Sequence, residues 1–161
     1  MQTVTVAIAD TNRGRRNKLE QMLRGGQGIE VLTNVMSNGD ETVRDRQPGT
    51  HAGVTEFEHI IAKISHLRPR ILFVNLDSSD EADLTLIEIL HRQCPETFVV
   101  LLTDKSIREE RILQALANGA RGYLSYEADP FYFLKAVRVV DRGEIWVTRK
   151  MLGKIIDKVL H

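Results

Sequence analysis

Residues 71–102, ILFVNLDSSDEADLTLIEILHRQCPETFVVLL, decide the fold. ILFVNL (71–76) is nearly continuous apolar sequence, as expected of a strand covered on both faces. Leu84, Ile87 and Leu90 then recur at helical spacing, and the helix closes before Pro95. Thr97 to Leu102 is a second apolar strand. Two buried strands joined through a helix imply a parallel pair with a right-handed crossover.

The alternation continues on both sides. Thr3 to Ala9 reads as a strand, with Val4, Val6 and Ile8 on one face and Thr5, Ala7 and Ala9 on the other. A polar turn at Asp10–Asn12 leads to a helix with core face Leu19, Met22 and Leu23, ended by Gly25-Gly26. Ile29 to Val35 is the next strand. Thr55 with Glu58 forms a capping box for a helix whose stripe is Phe57, Ile60, Ile61, Ile64 and Leu67, stopped by Pro69. Ser106 with Glu109 predicts another capping box, for a helix closing at Asn118-Gly119. Arg121 to Leu124 is a short strand. Asp129-Pro130 caps a helix running to Gly143, and a last helix covers about Arg149 to Leu160. Five strands alternating with five helices give an α/β fold, with the strand order 2-1-3-4-5 or half of a dinucleotide-binding fold as alternatives.

Composition narrows the function. The chain has 161 residues, 42% hydrophobic and 27% charged, which is ordinary for one globular domain. Lys plus Arg is 22 and Asp plus Glu is 22, so there is no overall basic field of the kind a dedicated nucleic-acid binder carries. One cysteine allows no internal disulfide and fits a reducing compartment. Without a signal-like start or a membrane-length apolar run, the expectation is a cytoplasmic protein. The glycine cluster Gly25-Gly26-Gln27-Gly28 follows a helix, where a dinucleotide fingerprint would precede one, and no phosphate-loop motif exists.

Open parallel sheets carry their sites at the carboxyl ends of the strands. Emerging there are Asp10-Thr11, Asn75-Leu76-Asp77, Thr103-Asp104 and Ser125-Tyr126, with the 37–54 loop on the same side. That loop, at 18 residues, is far longer than most βα connections, and reads as a solvated insertion or as a lid or docking loop.

The sequence resembles the receiver domains of bacterial two-component response regulators, especially those of LuxR-type (NarL/FixJ-type) transcription regulators. The similar stretches are VAIADTNRGRRNKLEQML (6–23), PRILFVNLDSSDEADLTLIEIL (69–90) and ILQALANGARGYLSYEADPFYFLKAVRVVDRGEIWVT (112–148). GARGYL followed by a helix ending in RGEIWV is the most specific part. The resemblance implies a flavodoxin/CheY-like three-layer α/β/α sandwich, a five-stranded parallel sheet of order 2-1-3-4-5, and a C-terminal linker helix. On this reading residues 1–147 are the receiver, with an insertion at 37–54, and 148–161 the linker helix.

Receivers of this family accept a phosphoryl group on an aspartate at the end of the third strand, with Mg²⁺ neutralising the phosphoryl oxygens. The resemblance places Asp10 at the first acidic position and Thr11 where the second acid usually stands. It puts Asn75 at the phosphoacceptor position, Thr103 at the Thr/Ser position and Tyr126 at the lysine position. A neutral amide oxygen is a poor nucleophile, and a tyrosine supplies no cation, so the family reaction is expected to fail. One charged carboxylate position of three remains for Mg²⁺, which usually takes one or two carboxylates plus phosphate oxygens. The expectation is therefore a degenerate pocket of Asp10, Thr11, Asn75, Asp77, Thr103 and Tyr126, with no catalysis, resident metal or cofactor. The alternative is a phosphorylatable receiver in which the displaced Asp77 works with Mg²⁺.

Other features weigh less. Cys94 reads as a packing residue. His59 and His66 lack further ligands at metal-site spacing. The basic residues Arg13, Arg15, Arg16 and Lys18 read as a solvated helix face, with an acidic docking partner as the lesser alternative. Phe131-Tyr132-Phe133 cannot all face a core, since neighbours on a helix are rotated by about 100°. With Arg121 and Tyr123 they form a candidate interface, the competing reading being a ring half-covered by Tyr126 or Arg138. A homodimer, a sensor kinase or other signalling protein as partner, and transcriptional regulation through an output domain are the partnerships the resemblance implies; this chain itself is expected to bind neither DNA nor membrane.

Overall fold

A computed structural model describes residues 3–32, 35, 52–76 and 81–160, with side chains of the second helix from Glu58 onward. The elements run β1 (Val4–Ala9), α1 (Arg13–Arg24), β2 (Ile29–Leu32), α2 (Ala52–Leu67), β3 (Ile71–Asn75) and α3 (Glu81–Gln93). They continue with β4 (Phe98–Thr103), α4 (Glu109–Ala117), β5 (Gly122–Ser125), α5 (Pro130–Asp141) and α6 (Arg149–Leu160). The five strands form one parallel sheet in the order 2-1-3-4-5. This is the expected doubly wound sandwich rather than half of a dinucleotide-binding fold.

The two-residue period of the strands divides the core. Val4, Val6 and Ile8 of β1, with Ile71 and Phe73 of β3, face Leu19 and Leu23 of α1 and Phe133, Val137 and Val140 of α5. Ala7 and Ala9, with Leu72 and Val74, face Ile60 and Ile64 of α2, Ile87 and Leu90 of α3 and Ile112 of α4. Phe73 is fully buried against the tilted ring of Phe133 at 6.1 Å. Phe133 is thus a core residue and not part of an interface, which corrects the expectation drawn from the aromatic triplet.

Three boundaries differ from expectation. The helix predicted from Thr55 begins at Ala52, so Thr55 lies inside it and Ala52–Val54 belong to helix rather than to the 37–54 loop. Val54, three residues before Phe57, already continues the apolar stripe. The remainder of that loop lies outside the described residues. Ser106 does not cap α4: its amide and hydroxyl both donate to Asp104 Oδ1, at 2.9 and 2.7 Å. This Asx-type turn holds Ser106 short of the helix, which starts at Glu109 behind Arg108, an N-cap without a side-chain bond. Of the strand expected over 29–35, Ile29–Leu32 is strand and Val35 lies in a turn, while 33–34 lie outside the described residues.

The edge of β5 is closed by the chain's own C-terminal segment. Tyr123 N donates to Trp146 O and Trp146 N to Arg121 O, at 3.2 and 2.9 Å. Gly122 permits this approach, since a Cβ there would lie 2.6 Å from Trp146 O. Thr148 Oγ1 then accepts from Met151 N at 3.1 Å, starting α6, and lies 3.2 Å from the Tyr123 hydroxyl. Met151 is buried in the α2–α3–α4 layer, Val147 and Ile155 pack against it, and Lys154 is ion-paired to Glu109 of α4. Among the described residues no helix is long and apolar enough to cross a membrane.

Candidate functional site at the carboxyl ends of the strands

Asp10, Asn75 and Thr103 end the adjacent strands β1, β3 and β4, and Tyr126 follows β5, so the topology alone gathers them at one end of the sheet. Asp10 is 1% exposed. A buried carboxylate must be paired and hydrogen-bonded to remain charged, and Asp10 is both. Oδ1 accepts from Asn12 N at 2.9 Å and from Arg15 Nη2 at 3.2 Å. Oδ2 accepts from Arg15 Nε at 3.2 Å and from the Tyr126 hydroxyl at 3.0 Å. An ionised carboxylate offers about four acceptor directions, and these four donors use them. Arg16 Nη1 donates to the Asp10 carbonyl at 2.8 Å.

The local sequence makes this possible. Asn12 caps α1 by accepting from Arg15 N at 2.9 Å. Arg15 thereby falls in the first helical turn, five residues beyond Asp10, with its side chain reaching back over the strand end. Its guanidinium carbon sits 4.3 Å from the centroid of the Tyr126 ring. Hydrogen bonding to Asp10 raises the Arg15 pKa further, keeping it cationic. Burial first, and the Asp10 charge second, hold the Tyr126 phenol protonated well above the ordinary tyrosine range. Thus Arg15, which sequence reasoning left on a solvated face, is the central cation of the cluster. The signal that could have found it is an arginine one turn past an Asn cap, within reach of a strand-end aspartate.

The other expected members stand nearby without joining the cluster. Thr103 is buried, and its hydroxyl donates to Leu124 O at 3.4 Å. Tyr126 N donates to Thr103 O at 3.0 Å, tying the β5–α5 loop to β4. Asn75 is half-buried and Thr11 exposed. Asp77 lies outside the described residues. Lys105 and Glu127 form an exposed pair at 3.5 Å between the β4–α4 and β5–α5 loops. Hydrogen bonds from the Ser106 hydroxyl and amide lower the Asp104 pKa.

These residues do not fit an Mg²⁺ ligand set as they stand. A hard cation needs carboxylate lone pairs, and those of Asp10 already carry three side-chain donors and a backbone amide. No metal-grade cluster of His, Cys, Asp and Glu occurs among the described residues, where His59 is half-buried and His66 exposed. Cys94 is buried, its sulfur 3.4 Å from Ser65 Oγ.

Of the candidate interface, Phe131 and Tyr132 are exposed, at 61% and 49%. Their rings meet edge-on at 5.7 Å, and Tyr132 lies 6.4 Å from Trp146. Neither Tyr126 nor Arg138 covers them: Tyr126 is engaged with Asp10 and Arg15, and Arg138 with the Gln27 carbonyl. Arg121 instead stacks its guanidinium 4.7 Å from the Phe98 ring centroid and donates to Gly143 O at 2.7 Å. Tyr123 is half-buried under the start of α6.

Fold and relatives point the same way: the chain has the fold of response-regulator receiver domains, and its homologues are regulators of the NreC/NarL/LuxR type. Over 157 residues it is 29% identical to the oxygen regulatory protein NreC of Staphylococcus haemolyticus, a match covering 97% of this chain and 63% of that protein. Staphylococcus aureus NreC is 29% identical over 97 residues, 60% of this chain and 44% of that one. The chain thus spans less than two thirds of the length of these relatives. The signal receiver domain of NarL from Mycobacterium tuberculosis superposes with a TM-score of 0.65 at 16% identity, covering 89% of this chain and all (100%) of that one. A LuxR-family response regulator from Aurantimonas gives 0.69 at 13% identity over 99% of this chain and 100% of that one. No family model matches the chain.

Proposed function

We propose that this receiver signals without phosphoryl transfer, as a protein-interaction module. The observation that carries the reading is the saturation of Asp10: its acceptor directions are taken by Asn12, Arg15 and Tyr126. The chemistry of the neighbouring positions supports it. Asn75 supplies no nucleophilic carboxylate, Thr11 no second acid and Tyr126 no cation, so the pocket of Asp10, Thr11, Asn75, Asp77, Thr103 and Tyr126 serves as structure rather than as a reaction centre. Arg15 contributes the positive charge that a metal ion would otherwise bring. The domain then acts through its surface. Dimerisation, docking to a sensor kinase or other signalling protein in the cytoplasm, and control of transcription through a DNA-binding output region complete the proposal. In it, residues 1–147 are the receiver and 148–161 the linker.

The test is intact-protein mass after incubation with acetyl phosphate and Mg²⁺, with an Asp77→Asn variant alongside. The proposal expects no phosphoryl adduct on either protein. An adduct present on the parent and absent from the variant would overturn it and make Asp77 a displaced acceptor.

A further inference from the structure

The outer side of α6 carries an unusual combination of groups. Its inner side is committed to its own domain through Met151, Ile155 and the ion pairs of Lys150 and Lys154 with Glu109. Outward, Leu152, Ile156 and Leu160 form a row at i, i+4 and i+8, exposed at 39%, 49% and 73%. Beside it runs a second row, Arg149, Gly153 and Asp157, at the same spacing and exposed. A Cβ added at Gly153 would meet nothing within 4 Å. Neither Arg149 nor Asp157 has a side-chain partner among the described residues. Glycine costs helix stability at an interior position, and here no intramolecular approach requires it.

We propose that this face binds a second copy of itself, as an antiparallel α6–α6 pair crossing at Gly153. The charge pattern selects that occupant. Arg149 and Asp157 lie four residues to either side of Gly153, each about 6 Å along the axis. A two-fold axis through the glycine therefore sets Arg149 of each copy against Asp157 of the other. The same axis brings the two apolar rows onto one side, with the two Leu152 side chains adjacent at the crossing and each flanked by an Ile156, while Leu160 lies beyond the overlap. A missing side chain at the crossing point lets the backbones approach closely, as small residues do at close helix crossings. Such a pair is isologous, as a two-fold dimer requires. A contact between two helices of 12 residues is small against the roughly 1,200 Å² of a stable interface, so the association is weak and concentration-dependent. The inference deepens the interaction reading above and rests on it.

Sedimentation velocity over a concentration series, on the full chain, tests the pairing. The parent should pass from monomer to dimer as concentration rises. Gly153→Leu, which improves helix propensity and has free space within its own chain, should weaken the dimer about tenfold or more by wedging the helices apart. Arg149→Asp should weaken it by about tenfold, and adding Asp157→Arg in the same chain should restore it to near the parent value. A dimer indifferent to all three variants would overturn the α6 pairing and leave the interaction reading standing on another surface. A chain monomeric throughout would overturn both the pairing and the dimer in that reading, without touching the phosphoryl test.

Discussion

The strand-end pocket and the outer face of α6 treat charge in opposite ways. At the pocket, a buried carboxylate has drawn its partners from three places: the β1–α1 turn, the first turn of α1 and the loop after β5. Along α6, an exposed arginine and an exposed aspartate eight residues apart have no side-chain partner among the described residues. The contrast follows from desolvation. An unpaired charge inside costs several kcal/mol and must be matched within the chain, whereas an exposed one costs little and stays available to a partner. On the proposed reading, this domain keeps its chemistry closed and its surface open, the reverse of a receiver that waits for a phosphoryl group.

Opening the pocket should have the largest effect. Arg15→Ala strips two donors from Asp10, and we expect about 2–3 kcal/mol of destabilisation in urea unfolding, less than a fully buried pair would lose because Arg15 is partly hydrated. A loss under about 0.5 kcal/mol would mean the guanidinium is a surface ornament. Tyr126→Phe should cost about 1 kcal/mol. It should also change the alkaline limb of the stability curve. Because the folded phenol titrates above its ordinary value, Tyr126 contributes stability that is present below the unfolded pKa near 10 and is lost as pH rises beyond it. The variant should lack that component, which stability measured on both sides of pH 10 will reveal. On α6, Thr148→Ala removes the cap bond to Met151 N and should cost about 1 kcal/mol, read as faster amide exchange confined to α6. The smallest effect is at Glu109. The hydrogen bond from Lys154 holds its carboxyl below the ordinary range, so its hold on α6 is present above that range and fades as pH falls through and below it. Exchange from α6 amides should rise in acid for the parent and be flatter for Glu109→Gln.

The sheet was legible from the sequence because period two in β1 and the apolar runs of β3 and β4 leave little choice of partner layer. α6 was legible to its end residues, Arg149 and Leu160, from Thr148 onward. Caps were harder. Ser106 and Thr55 both match a capping pattern, yet Asp104 captured the serine, and the stripe through Val54 carried α2 past the threonine. Phe133 could not be told from Phe131 by composition; the rotation of α5 that seats Val137 and Val140 also buries Phe133. Arg15 was hidden for a different reason. A basic run on a first helix usually faces water, and the Asn12 cap fixes the phase that turns Arg15 toward the Asp10 carboxylate and Arg16 toward its carbonyl.

On the proposed reading, the charge of Asp10 is matched by the chain itself. The direct measurement is a ¹H–¹⁵N correlation spectrum of the full chain titrated with Mg²⁺ and beryllofluoride, following the amides of Asn12, Arg15 and Tyr126. These resonances should stay in place at millimolar Mg²⁺, with or without the phosphoryl mimic. Saturable shifts of all three would show Arg15 giving way to a metal ion, and would contradict it.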